Sequence, residues 1–99
     1  MNSKKVNYKL ISSNFPKDME YTIIGLFNQA STIKGKNHET ITKTFFDLLK
    51  STFPNYIFQV FYVERKGDYD FCGEMNYNCA IKLGKSAFVV FATSEEEDK

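Results

Sequence analysis

The sequence predicts an α+β domain, and two features of its periodicity carry that reading. Apolar residues recur every three to four positions from Met19 to Phe53, then at every second position from Tyr56 onward, with Pro54 standing at the change. Glycines at 67, 73 and 84 divide the second half into runs of strand length. With one strand ahead of the helices, the expected order is β-α-α-β-β-β-β. This gives an antiparallel sheet with two helices on one face.

The first strand is read over residues 5–12, where Val6, Tyr8 and Leu10 alternate with Lys5, Asn7 and Lys9. Helix one is expected over about residues 16–34. Ser13 or Asn14 is a candidate cap, Pro16 sits at a helix start, and Asp18 and Glu20 lie in the first turn. Its buried stripe is Met19, Ile23, Leu26, Phe27, Ala30 and Ile33, and Gly25 inside it is either a cost or a close helix contact. Gly35 is the natural stop. Asn37 then caps a second helix that buries Ile41, Phe45, Leu48, Leu49 and Phe53 and ends at Pro54. Strands follow near residues 56–63, 69–73, 75–83 and 86–93, and the acidic tail 95–99 is expected to be disordered, leaving one domain over residues 1–94.

Two of these strands are apolar on both faces. "IFQVFYV" and "SAFVVFA" have no polar side, whereas "MNYNCAIKL" sets Met75, Tyr77, Cys79, Ile81 and Leu83 against Asn76, Asn78, Ala80 and Lys82, a side turned toward water. Two helices cover one face of such a sheet, and a second copy of the same sheet is the most economical cover for the other. A two-fold dimer packing sheet against sheet is therefore expected. Its interface is assigned to Tyr56, Ile57, Phe58, Val60, Phe61, Tyr69, Phe88 and Val90.

Composition narrows the function. The net charge is +1 with basic residues spread along the chain, so no footprint for nucleic acid or an anionic membrane is visible. "MNSKKVNYKL" lacks the apolar run of a signal peptide and no segment reaches membrane-span length, which points to an intracellular protein. Cys72 and Cys79 then read as reduced structural thiols, and a C-x6-C spacing with one distant histidine makes a poor metal site. There is no phosphate loop, nucleophile elbow or paired-histidine motif. Neither catalysis, a metal nor another cofactor is expected.

The element order, together with "FPKDMEYTIIGLFNQA", "KTFFDLLKSTFPNYIFQVF", "KGDYDF" and "KLGKSAFVVF", resembles the small dynein light chain family, whose cytoplasmic member acts as a dimerisation hub. The resemblance implies back-to-back sheets with helices outside and a strand that crosses to the other subunit. Extended client peptides, including one from a dynein intermediate chain, would add as a further strand in grooves beside it. A cytoplasmic, cytoskeletal location follows, with a cilium or flagellum axoneme as the alternative. The implied groove strand is Lys66, Gly67, Asp68, Tyr69, Asp70, Phe71 and Cys72, with a helical wall starting at Asn37 and His38. Asp68, Asp70, Phe71 and Cys72 depart from the family pattern, as do Asn37 and His38, so the family's usual client is not implied. Ile57 replaces the family's interface histidine, which implies a dimer that does not dissociate in acid.

Other readings remain open at this stage. One is an axonemal relative with a closed or dedicated groove, and another is a monomeric domain binding a ligand or nucleic acid through Tyr56, Phe58 and Tyr62. His38 alone, the single histidine, reads as solvent-facing.

Overall fold

The computed structural model describes residues 8–32, 37–64, 76–84 and 86–94. The elements are β1 (Lys9–Ser13), α1 (Lys17–Ser31), α2 (His38–Thr52), β2 (Tyr56–Glu64), β3 (Tyr77–Leu83) and β4 (Ser86–Ser94). Among the described residues the sheet is antiparallel in the order β1-β3-β4-β2, which places β1 and β2 at its edges. The α+β class and both helices are as expected. The strand expected near residues 69–73, the first residues of the one expected over 5–12, and the acidic tail lie outside the described residues.

Helix α1 starts and stops differently from the sequence reading. Neither Ser13 nor Asn14 caps it, because Pro16 occupies the N-cap position. Ser13 belongs to β1, and the Asn14 side chain clamps β3 instead, accepting from the Asn78 N–H at 2.7 Å and donating to the Asn76 carbonyl at 3.2 Å. The helix ends at Ser31 rather than near residue 34. The Ser31 hydroxyl donates to the Phe27 carbonyl at 2.9 Å and the Thr32 hydroxyl to that of Gln29 at 3.0 Å, so the last-turn carbonyls are satisfied by local side chains. Helix α2 agrees with expectation at both ends. Asn37 Oδ1 accepts from the Thr40 N–H at 2.7 Å, and the Phe53 N–H closes the last turn on Leu49 at 2.9 Å, ahead of Pro54.

Both helices lie on the same face of the sheet. Met19, Ile23, Phe27 and Ala30 from α1 meet Ile41, Phe45 and Leu49 from α2 over Phe58, Cys79, Ile81, Phe88, Val90 and Ala92. Phe27 is the hub of this layer, with ring centroids 5.3 Å from Phe45 and 5.1 Å from Phe88. Tyr8, edge-on at 6.1 Å, closes the cluster on the β1 side. A bulge between Leu10 and Ser12 in β1 shifts the alternation, so Leu10 pairs with Ile81 while Ser13 pairs with Cys79.

Gly25 does not mark a close helix contact, since a Cβ built there meets nothing within 4 Å. Gly25→Ala should therefore raise stability by about 0.5–1 kcal/mol, the ordinary helix gain, seen as a higher urea midpoint. Gly84 is the opposite case. Its φ of 65° in the β3–β4 turn is a conformation that L side chains avoid, so Gly84→Ala should lower stability by about 1 kcal/mol in the same measurement.

Candidate functional site

The open face of the sheet is apolar on one side only. Ile57, Gln59, Phe61 and Val63 of β2 stand beside Thr93, Phe91, Val89 and Ala87 of β4, while Asn78 and Lys82 make the β3 side polar. Ile57 and Phe61 are each 47% exposed, and the Phe61 ring sits edge-on to the half-buried Phe91 at 5.9 Å. Ala80, Ala87 and Val89 on the same face are already buried, at 1% exposure or less. What remains open is a strip along β2 rather than a whole sheet.

That placement sorts the residues assigned to a dimer interface. Ile57 and Phe61 reach the open face. Phe58, Phe88 and Val90 point the other way into the helix-covered core, and Tyr56 and Val60 pack against that core, because alternate residues of a strand face opposite sides. Tyr69 lies outside the described residues, as do Lys66, Gly67, Asp68, Asp70, Phe71 and Cys72 of the expected groove strand.

Beside the strip, α2 and β2 enclose an open groove of about 910 Å³ lined by His38, Glu39, Thr42, Lys43 and Phe46 on the helix and Phe58, Gln59, Val60, Phe61 and Tyr62 on the strand. The helical set recurs at i, i+4 and i+8, which is one face of α2, turned away from Ile41, Phe45 and Leu49. The strand set is consecutive. A groove on one face of a sheet would meet alternate residues only, so five in a row identify the lining as the strand's edge, main chain included. Among the described residues β2 pairs on one side only, with β4.

His38 and Tyr62 join the two walls at one end of this groove. Their rings stack at 4.1 Å with an interplanar angle of 18°, and Tyr62 Oη lies 3.2 Å from His38 Nε2. The phenol donates to Glu64 Oε1 at 3.1 Å and lies 3.1 Å from Ser86 Oγ. The stack and the Nε2 contact together tie the imidazole to the strand. His38 is solvent-exposed as expected, yet it is fixed to the strand. Asn37, its neighbour in the expected wall, serves as the helix cap. Tyr62→Phe should cost about 1–2 kcal/mol, since it leaves the buried Ser86 hydroxyl without this partner and releases His38; a urea titration reads the loss.

The sequence reading missed Glu39, Thr42, Lys43 and Phe46. Their signal was present as the second face of α2, a stripe with one large apolar residue among polar ones, which the search for a buried face passes over. Among the described residues no three His, Cys, Asp or Glu side chains gather to hold a metal ion, and no helix is long and apolar enough to cross a membrane. No family model matches the chain, and no curated protein matches it significantly.

Proposed function

We propose that this chain is a noncatalytic light chain of a dynein-type microtubule motor complex, a homodimeric hub that holds extended client segments by strand addition. The observation that carries the reading is the groove between α2 and the β2 edge. An extended segment entering it finds, on one side, main-chain donors and acceptors of β2 that no described strand pairs and, on the other, a helix face. The motor assignment draws support from the element order and from the resemblance of the helices and strands to that family. The exposed Ile57 and Phe61, with the half-buried Phe91 beside them, support pairing with a second copy, and Phe61 belongs to both strip and groove. Two clients held side by side then gain avidity through effective concentration. The crossed-over strand belongs to this reading too.

Light scattering on a sizing column at micromolar concentration tests the dimer. The expected mass is near twice 11.5 kDa at neutral pH and unchanged at pH 5, Ile57 being unable to take up a proton. Phe61→Asp, at a position outside the core, should give the monomer mass with unchanged far-UV circular dichroism. A wild-type chain that stays monomeric when concentrated overturns the hub reading.

A further inference from the structure

The groove face of α2 carries an uneven charge. Glu39 and His38 sit at the end closed by the Tyr62 contact. Lys43 lies one turn further, and Lys50, one turn beyond Phe46, places its Nζ 5.5 Å from the centroid of that ring. Glu39, Lys43, Phe46 and Lys50 are spaced four, three and four residues apart, which aligns them along one face of the helix. Neither Asp47 nor Lys50 is among the lining residues, and Lys50 is placed at the groove's end by its position over the Phe46 ring. Among the described residues neither lysine makes an ion pair, and the half-buried Phe46 between them faces the apolar part of the groove formed with Phe58 and Val60. The far half of the groove is thus an apolar floor beside two ammonium groups that no described carboxylate pairs.

We infer that the groove selects an extended peptide of another protein in which an apolar side chain has one carboxylate two positions before it and another two positions after it, the apolar group resting on Phe46 and the carboxylates meeting Lys43 and Lys50. This deepens the strand-addition reading and rests on it. The dimensions agree. From His38 to Phe46, α2 rises about 12 Å, and from Phe58 to Tyr62, β2 runs about 13 Å. That length holds about five extended residues, with three side chains turned inward roughly 7 Å apart. Carboxylates at the other end would meet Glu39, so the charge also sets where along the groove the acidic motif sits. The α2 face reads the peptide in the same way whether the peptide pairs with β2 directly or lies beside a strand from a second copy.

Three fluorescein-labelled octapeptides of alternating threonine and valine test the inference, the valines two positions before and two positions after a central valine being replaced by two aspartates, two asparagines or two lysines. Fluorescence anisotropy at low salt should give Kd values at least about tenfold lower for the aspartate peptide than for the lysine peptide, with the asparagine peptide between them. Added salt should compress the series. In the double variant Lys43→Gln/Lys50→Gln the order should collapse while the asparagine peptide keeps its affinity, a control that the groove is intact. Equal binding of all three peptides to the wild type overturns the charge selection and leaves strand addition standing. An aspartate preference that survives in the double variant overturns the role of these lysines. Failure of all three to bind overturns strand addition in the groove together with the inference.

Discussion

Phe27→Ala is expected to remove about 3–5 kcal/mol of stability, the range for truncating a fully buried ring. The residue has no solvent exposure, and its ring touches both the second helix and the central strand through Phe45 and Phe88. Truncation leaves a ring-sized void bounded by other rings, which are anchored to separate elements and collapse into it poorly. A domain of this size is stable by roughly 5–15 kcal/mol, so the variant approaches the edge of folding at moderate temperature. Urea denaturation reads the change as a lower midpoint at constant slope. Tyr21→Ala is the control, since its side chain is 82% exposed and should shift stability by less than about 0.5 kcal/mol. A loss for Phe27→Ala no greater than about 1 kcal/mol would mean that the aromatic layer is not where the stability resides.

The helix-side half of the fold was legible in the sequence because one-dimensional periodicity maps directly onto a buried stripe. Ile23, Phe27, Phe45 and Leu49 were found by spacing alone and all have zero exposure. Element ends were less legible where two local chemistries competed. Asn14 has the chemistry of a helix cap, but its amide also matches the N–H and C=O at the end of a strand, and β3 holds it. Nothing in a single sequence ranks those two uses. The two-sided apolar strands were read correctly as pattern and too broadly as interface. Phe58 and Phe88 follow the same alternation as Ile57 and Phe61 but face the helices, and only the pairing register says which set is which.

The groove was the hardest part to see because it belongs to no single element. It exists where the second face of α2 runs alongside β2, an edge strand among the described residues, and that adjacency is a consequence of strand order. Expectation had placed the site on residues 66–72 with a wall at Asn37 and His38. Of the described residues in that set, His38 lines the groove, where the stacked Tyr62 gives it a definite orientation. Its partner was outside the reach of local reasoning, since 24 residues separate the two. An otherwise exposed histidine becomes informative only once the strand beneath it is placed.

Cys79 should be close to inert towards alkylation in the folded protein and should make stability fall in alkali. Its thiol lies on the helix-covered face of β3, and burial pushes its pKa from 9.0 up to about 12; the Ser13 side chain offsets this in part, while the Glu20 carboxylate adds to it. A rise of about three units lowers the thiolate fraction near pH 8 roughly a thousandfold, and the thiolate is the reactive form. Iodoacetamide followed by mass mapping should leave Cys79 unmodified in buffer and label it fully in concentrated urea. The same shift fixes the sign of the stability effect. The folded state keeps its proton above pH 9 where the unfolded chain has lost it, so the contribution is complete below pH 9 and is lost progressively between pH 9 and about 12. Between pH 7 and pH 10 the wild type should lose about 1 kcal/mol more than Cys79→Ala, the difference between the two chains cancelling the titration of tyrosines and lysines common to both. Equal losses in the two chains, or rapid labelling of Cys79 in native buffer, would require a path for solvent between the helices and β3, and the helix-covered core described above leaves none at Cys79, which is 1% exposed.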